Sequence, residues 1–138
     1  NMDIIKINGT DRKLYELVAP LVMNPAILRQ NNNYPFKTSL RYRWFIALDN
    51  DGSVAGFLPV RNTTGRPYID NYYICGDRED TIERLLNAAK EEPEYERTLT
   101  ALVHKRHVAA FEKNGFTSFL EWKKYHKMII TERHDTTT

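Results

Sequence analysis

The spacing of apolar side chains along this chain predicts strands that alternate with amphipathic helices. Two stretches repeat apolar residues at i, i+3, i+4 and i+7, which is the spacing of a helix with one buried face. The apolar positions are Leu14, Leu17, Val18, Leu21 and Val22 in the first stretch, and Ile82, Leu85, Leu86 and Ala89 in the second. A third helix is predicted over Lys105–Asn114, and a short helix followed by a loop over Ala26–Leu40.

Runs of β-branched and aromatic residues, bounded by turn residues, predict the strands. They are Asp3–Asn8, Arg43–Leu48, Ser53–Arg61, Tyr68–Cys75, Arg97–His104, and one or two strands within Phe119–Ile130. Hairpin-connected strands beside strands that alternate with helices predict an α/β domain with a mixed sheet. We expect about six or seven strands flanked by three to four helices. Pro59 lacks an N–H donor, so we expect a bulge or an edge position there.

Several residues mark where the predicted helices begin and end. Thr10 is placed to cap the first helix. Asp80 is followed by Glu83 three residues later, which is the spacing of a capping box. Gly115 is well placed to end the third helix in a left-handed conformation. The second helix is expected to end near Glu92 and Pro93.

Length and composition indicate a single globular domain. The chain has 138 residues, 41% of them hydrophobic and 28% charged, which is ordinary for one compact domain. We assign this domain to residues 2–130 and expect a frayed polar tail over residues 131–138. No apolar run reaches the ~18 residues of a membrane span.

Charge and cysteine content narrow the class of protein further. Twenty Lys and Arg against eighteen Asp and Glu leave a net charge of +2, too small to indicate binding to nucleic acid or a membrane. The basic and aromatic segment Lys123–Lys127 fits nucleic acid, but lysines protecting an edge strand are the commoner explanation. A single cysteine, Cys75, and no signal-like N-terminus favour a reduced thiol and a cytoplasmic protein.

Two histidines are candidate metal ligands. His104 and His107 lie three residues apart, with Cys75 and His126 as further candidates. This spacing matches no zinc signature, so no metal site is expected.

Three segments resemble the GNAT superfamily of acyl-coenzyme A-dependent N-acetyltransferases. Ala109–Phe116 is similar to the family's helix that ends in a Tyr-Glu-Lys-x-Gly-Phe pattern. Tyr68–Ile74 resembles its central strand, and Trp44–Phe57 resembles the preceding hairpin. Together with the order of elements, the resemblance covers the chain from Asp3 to about Ile130.

The resemblance implies a GNAT-like fold and transfer of an acyl group from acetyl-CoA to an amine. In the family the coenzyme lies where the central strand splays from the next strand, here Tyr68–Cys75 and Arg97–His104. The acceptor would be a small-molecule or peptide amine, and no metal is needed. A carboxylate takes the proton of the amine, often through water, and a tyrosine commonly protonates the leaving thiolate.

Matching the family's motifs to this chain implies a set of site residues. Asp70 on the central strand would be the base, and His104 would replace the missing tyrosine acid. The residues that would contact the coenzyme are Tyr73, Ile74, Cys75, Arg78, Thr81, Ile82 and Phe111.

Two departures from the family pattern leave a second function open. Thr81 and Glu83 stand at the small-residue positions of the coenzyme loop Arg78–Glu83, and carboxylates at 77, 79, 80 and 83 surround Arg78. Acidic side chains repel a pyrophosphate, whereas at a helix start they complement the dipole. Phe111 occupies the position of the family's tyrosine and has no proton to give. The alternative is therefore a catalytically degenerate GNAT-fold domain that serves as a binding or interaction module.

Overall fold

The computed structural model describes residues 2–63 and 66–131, which form strands and helices in alternation. The strands are β1 (Asp3–Asn8), β2 (Tyr42–Leu48), β3 (Val54–Thr63), β4 (Arg66–Ile69), β5 (Tyr73–Ile74), β6 (Thr100–His104), β7 (Phe116–Glu121) and β8 (Tyr125–Ile130). The helices are α1 (Arg12–Val22), α2 (Pro25–Gln30), α3 (Glu79–Lys90) and α4 (Val108–Lys113). Short 3-10 turns cover Cys75–Asp77, Pro93–Tyr95 and Lys105–His107.

All eight strands of the described residues belong to one mixed sheet in the order β1-β2-β3-β4-β6-β8-β7, with β5 paired to β3. The pairs are antiparallel except for β4 and β6, which run parallel. This confirms the predicted α/β class with a mixed sheet and four flanking helices. The sheet has one strand more than the six or seven expected, because the predicted central strand is divided in two.

Two apolar cores lie on opposite faces of the sheet. One core packs α3 and α4 against the whole width of the sheet, from Phe45 on β2 to Met128 on β8. The other packs α1 and α2 against β1, β2, β3 and β5, through residues such as Leu14, Trp44 and Phe57. Because successive strand residues point to opposite faces, the second face also carries side chains of β4, β6 and β8, and these border the clefts described below.

The predicted strand Tyr68–Cys75 is interrupted between β4 and β5. Asn71 has a φ of 53°, a left-handed conformation that ends the regular strand and that asparagine tolerates better than most residues. Pro59 on β3 lies between the residues that pair with β4 and those that pair with β5. Its missing N–H therefore falls opposite the interruption. Pro59 is on an interior strand, so the expected edge position is wrong.

The helix ends differ from expectation by one to several residues. Asp11, not Thr10, caps α1, and its side chain accepts a hydrogen bond from the backbone N–H of Lys13 at 2.9 Å. Arg78, not Asp80, precedes the first residue of α3, so Asp80 lies within the first helical turn. The third helix begins as a 3-10 turn and becomes α-helical only at Val108.

Two strands also begin at residues other than those predicted. The predicted strand Arg97–His104 begins only at Thr100, because Arg97 has a φ of 68°. The strand β7 begins at Phe116, directly after Gly115, whose φ of 93° confirms its left-handed role. Of the expected tail, residues 132–138 lie outside the described residues, and Thr131 donates a backbone hydrogen bond to the carbonyl of Gly115 at 2.7 Å.

Candidate active site

The parallel strands β4 and β6 separate after only two paired positions. Tyr68 pairs with Thr100 and Ile69 pairs with Ala101. Beyond Ile69 the chain turns at Asn71 and continues as β5, which pairs with Gly56 and Phe57 on β3. The separation lies where the resemblance places the coenzyme gap.

A cleft of about 390 Å³ opens on the second face of the sheet, next to this separation. It is lined by Asn31, Tyr34, Pro35, Lys37, Asp70, Asn71, Leu102, His104, Trp122 and Tyr125. The fold therefore brings Asp70 and His104, the two residues predicted to be catalytic, to the wall of one cleft.

Asp70 carries a carboxylate with an unusual environment. Its Oδ1 atom is buried and has no hydrogen-bond partner among the described residues. Burial raises the pKa of Asp70, and the positive charges of Arg61 and Lys37 offset only part of that rise. A carboxylate that is deprotonated but destabilised in this way is a stronger base than an exposed aspartate.

His104 is almost fully buried at the end of β6, with 4% of its surface exposed. Its ring packs against that of Tyr125, with centroids 4.9 Å apart. Burial lowers the pKa of His104 to about 4, with the charges of Arg106 and His107 acting in the same direction. The imidazole is therefore neutral at physiological pH.

A chain of hydrogen bonds crosses the separation between the strands. The hydroxyl of Tyr72 accepts a bond from the backbone N–H of His104 at 3.1 Å and lies 2.7 Å from Nδ1 of His107. Nε2 of His107 lies 2.6 Å from Oδ1 of Asp77, which also accepts a bond from Arg106 Nε at 3.1 Å. The chain thus joins β6 to the turn Cys75–Asp77 that precedes α3.

The order of donors in this chain follows from which atoms accept. Burial raises the pKa of Asp77, but hydrogen bonds from His107 and Arg106 more than offset it, so the net pKa is lowered. The ionised carboxylate accepts from Nε2–H, which leaves Nδ1 of His107 to accept from the Tyr72 hydroxyl. Burial lowers the pKa of His107, consistent with a neutral ring. Every donor in the chain has an acceptor.

Sequence reasoning did not identify this chain of residues. By its sequence His107 is a candidate metal ligand, and no sequence pattern connects it to Tyr72 or Asp77. The spacing from 72 to 107 carries no local pattern. The one available signal was the presence of polar residues at the ends of two strands predicted to be neighbours.

Asparagines fasten the segment after α2 over the cleft. The side chain of Asn31 is buried and donates to Oδ1 of Asn71 at 2.8 Å and to the carbonyl of Tyr34 at 3.0 Å. Asn32 donates to the hydroxyl of Tyr125 at 2.6 Å. These bonds place Tyr34 and Lys37 on the cleft wall and fix the left-handed turn beside Asp70.

The predicted coenzyme loop offers backbone donors but has its arginine already paired. Arg78, the residue that precedes α3, forms no side-chain capping hydrogen bond. A hydrogen bond from Arg78 lowers the pKa of Asp80, and hydrogen bonds from the backbone N–H groups of Thr81 and Asp80 act in the same direction. Gly76 and Asp77 are both left-handed, at φ 65° and 52°, which bends the chain before the helix. Arg78 Nη2 lies 3.0 Å from Oδ2 of Asp80, and its Nη1 lies 3.5 Å from Oδ1 of Asp49.

The other residues predicted to contact coenzyme differ in exposure. Cys75 and Arg78 are exposed, whereas Tyr73, Ile74, Thr81, Ile82 and Phe111 are buried. Phe111 packs against Tyr72 and Phe116, with ring centroids 5.7 and 5.4 Å away. Phe111 therefore packs against the ring of Tyr72, whose hydroxyl belongs to the hydrogen-bond chain.

Within residues 2–63 and 66–131, no group of three His, Cys, Asp or Glu side chains is arranged to hold a metal ion. His126 has a different partner from the other two histidines: its Nδ1 forms a hydrogen bond with the hydroxyl of Ser118 at 2.9 Å. In the same residues, no helix has the length and apolar character needed to cross a membrane.

Comparison with known proteins identifies the fold through solved structures. No protein-family model matches the sequence, and no curated protein matches it either. Solved structures do match. Escherichia coli ElaA superposes with a TM-score of 0.70 at 11% identity, covering 94% of this chain and 99% of that one.

Two further structures extend the comparison. Campylobacter jejuni N-acetyltransferase PseH, solved with acetyl coenzyme A, gives a TM-score of 0.60 at 14% identity, with coverage of 96% and 100%. The ribosomal-protein-S18-alanine N-acetyltransferase of Escherichia coli gives 0.59 at 16% identity, with coverage of 100% and 99%. The chain has the fold of the GNAT acyl-CoA N-acetyltransferases over essentially its whole length.

Proposed function

We propose that this protein transfers an acetyl group from acetyl-CoA to an amine. The observation that carries the proposal is the buried Oδ1 of Asp70, which has no hydrogen-bond partner within residues 2–63 and 66–131. It lies in a cleft of about 390 Å³ that His104 also lines, where β4 and β6 separate. A fold alone does not imply a function. Here the side chains that line the cleft can also support the reaction that the resemblance implies.

Asp70 is the base in this mechanism. A neutral amine nitrogen forms a bond to the thioester carbonyl carbon, the carbon–sulfur bond breaks, and Asp70 accepts the proton that the nitrogen loses. Its raised pKa matches it to an amine better than an exposed carboxylate would be. The proton then passes from Asp70 to solvent.

His104 acts in its neutral form. With a pKa of about 4, it holds no imidazolium proton to deliver at neutral pH. Its ring can donate one hydrogen bond into the cleft, which orients a reacting group. The coenzyme thiolate is a stable leaving group with a pKa near 8.5, so water protonates it, and the absence of a tyrosine at Phe111 slows the step without preventing it.

The coenzyme-binding part of the proposal rests on the start of α3. Backbone N–H groups at a helix start, with the helix dipole behind them, favour a phosphate. The side chains of Glu79, Asp80 and Glu83 are exposed, but the Asp80 carboxylate interacts with the backbone N–H groups of Thr81 and Asp80, so a phosphate has to displace it from them. To bind a phosphate, Arg78 has to break its ion pair with Asp80 or with Asp49. We place the reaction in the cytoplasm, with a small-molecule or peptide amine as acceptor.

Calorimetry with acetyl-CoA, followed by an amine panel on wild type and Asp70→Asn, tests the proposal. Micromolar binding and transfer that Asp70→Asn abolishes are the expected results. Binding with equal turnover in wild type and Asp70→Asn would remove Asp70 from the mechanism. No binding at millimolar acetyl-CoA would refute the proposal as a whole.

A second candidate is a binding or interaction module that keeps the fold without the reaction. Two observations favour it: the Tyr72 hydroxyl bridges the separation of the strands, and Arg78 is paired with carboxylates. A Tyr72→Ala variant that binds acetyl-CoA where wild type does not would show that the bridge closes the site.

A further inference from the structure

A second hollow adjoins the cleft on the same face of the sheet. It has a volume of about 570 Å³ and is lined by Arg61, Thr63, Arg66, Tyr68, Thr100, Ala101, Phe119 and Lys127. Three of these residues are cationic and none is acidic. We call this hollow the basic groove.

The cations of the basic groove lack the carboxylate partners that three arginines elsewhere in the chain have. Arg43, Arg78 and Arg106 each bind a carboxylate at 2.8 to 3.1 Å. In the described part of the chain, Arg61, Arg66 and Lys127 form no such ion pair. Arg61 Nε is moreover buried and has no hydrogen-bond partner among those residues.

An aromatic ring separates two of these cations. Arg61 Cζ lies 5.4 Å and Lys127 Nζ 5.9 Å from the ring centroid of Tyr68. A ring face attracts a cation weakly at a wet site and leaves its N–H donors free for a ligand. Burial together with the charge of Asp70 raises the pKa of Tyr68 to about 12, so Tyr68 adds no negative charge at neutral pH.

A buried donor without an acceptor costs the folded state free energy, and three unpaired cations around one hollow repel each other. A bound anion removes both costs, because a carboxylate or phosphate accepts several charge-assisted hydrogen bonds at once. The basic groove therefore has the chemistry of an anion site.

The basic groove and the cleft are one side chain apart. Tyr68 lines the groove and Asp70 lines the cleft, and two residues along a strand span about 7 Å on one face. Trp122 of the cleft also lies 5.8 Å from Lys127 Nζ of the groove. One small molecule can therefore reach both.

We propose that the acceptor amine carries an anionic group, a carboxylate or a phosphate, which binds Arg61, Arg66 and Lys127 while its nitrogen meets Asp70. This inference rests on the proposed acetyl transfer. Asp70 is about 7 Å along the chain from Tyr68, the ring that Arg61 and Lys127 contact. This spacing corresponds to a few bonds between nitrogen and anion, as in a short ω-amino acid or an aminoalkyl phosphate.

Acetyl transfer to a matched series tests this proposal. β-Alanine, γ-aminobutyrate, δ-aminovalerate and aminopropyl phosphate are compared with n-alkylamines of the same length. We expect kcat/KM at least about tenfold higher for the anionic amines, since a hydrogen bond between charged groups contributes that much or more. The optimum length identifies the spacing, and the phosphate arm identifies the preferred anion.

Variants identify the residues. Arg66→Gln and Lys127→Gln are expected to raise KM for the anionic amines about tenfold and to leave KM for the alkylamines unchanged. Lys127→Arg should restore most of the loss. Lys13→Gln, an exposed lysine on α1, is the matched control and should change nothing. Equal kcat/KM for anionic and neutral amines would overturn the proposal.

Direct binding separates failure of the anion site from failure of the reaction. Calorimetry of γ-aminobutyrate, butyrate and butylamine is run on wild type and Lys127→Gln. If no amine is acetylated, binding of γ-aminobutyrate that Lys127→Gln abolishes still supports the anion site and refutes only the reaction. The absence of any such binding refutes the site. Tighter, steeply salt-dependent binding of an oligonucleotide would refute the small-molecule proposal in favour of nucleic acid.

Discussion

The hydroxyl of Tyr72 accepts a hydrogen bond from the backbone N–H of His104 at 3.1 Å, across the point where β4 and β6 separate. In a continuous parallel sheet, that N–H would bond a backbone carbonyl of the neighbouring strand. A side chain has replaced the strand as the acceptor. The same hydroxyl donates to His107, whose ring is fixed by Asp77, so a defined set of bonds spans the separation.

Removing this hydroxyl is expected to destabilise the fold. Tyr72→Phe keeps the ring in its packing against Phe111 but leaves the His104 N–H and His107 Nδ1 without a buried partner. We expect the free energy of unfolding to fall by about 2 kcal/mol. Urea denaturation measures it, with Tyr15→Phe, an exposed tyrosine on α1, as a control that should change by less than about 0.5 kcal/mol. An equal effect of the two variants would contradict the role assigned to the bridge.

Asp70→Asn is expected to lower kcat/KM for acetyl transfer by about 100-fold or more, because general-base catalysis commonly contributes that much. In wild type, kcat/KM should rise with pH through a value above the ordinary aspartate pKa, since burial raises the pKa of Asp70. Initial rates between pH 4 and pH 8 measure both effects. Asp3→Asn, an exposed residue at the start of β1, is the control. A pH profile that is the same in wild type and Asp70→Asn would contradict the assignment.

The same substitution is expected to stabilise the protein at neutral pH. The pKa of Asp70 is higher folded than unfolded, so the folded state binds more protons and stability falls as pH rises through the folded pKa. Asp70→Asn removes the buried charge and therefore that loss. We expect the variant to be about 1 kcal/mol more stable at pH 7 and similar to wild type below pH ~4, where both carboxyl states are protonated. Thermal unfolding across pH measures the difference, and a less stable variant at pH 7 would show that Asp70 is paired.

His104 is expected to make the fold sensitive to acid. Its pKa is about 4 in the folded state against about 6.5 when unfolded. The folded state therefore binds fewer protons, and stability is full above pH ~6.5 and is lost as pH falls towards 4. The stability difference between wild type and His104→Asn should shrink by about 3 kcal/mol over that interval. Using a difference cancels the opposite contribution of Asp70. A difference that is constant with pH would mean that His104 is solvated.

The periodicity of apolar residues was sufficient to predict the elements that form the two cores. Leu14 and Val18 of α1 are buried as predicted, and so are Leu85 and Ala89 of α3. These predictions succeeded because burial of one helix face is a property of neighbouring turns. The ends of the elements were less predictable. Thr10 and Asp11 are both good caps, and which of them accepts the first N–H depends on how the chain leaves β1.

Part of the candidate site also followed from the sequence. The resemblance placed Asp70 and His104 in the site, and both line one cleft. The break at Asn71 was not predicted. Asp70 and Asn71 are both disfavoured in strands, but the Tyr and Ile residues on either side of them favour one continuous strand. Asn71 adopts its left-handed conformation with Asn31 bonded to its side chain, a partner forty residues earlier in the chain.

The sequence by itself determined the α/β class, the faces of the helices, and the absence of the family's tyrosine at Phe111, because each of these depends on residue type and local spacing. Only the tertiary structure decided which polar groups meet. His107 lies 35 residues after Tyr72 and 30 residues after Asp77 in the sequence, and a hydrogen bond requires atoms within about 3 Å. The same holds for Arg61, Arg66 and Lys127, whose shared hollow exists only once β3, β4 and β8 lie in one sheet.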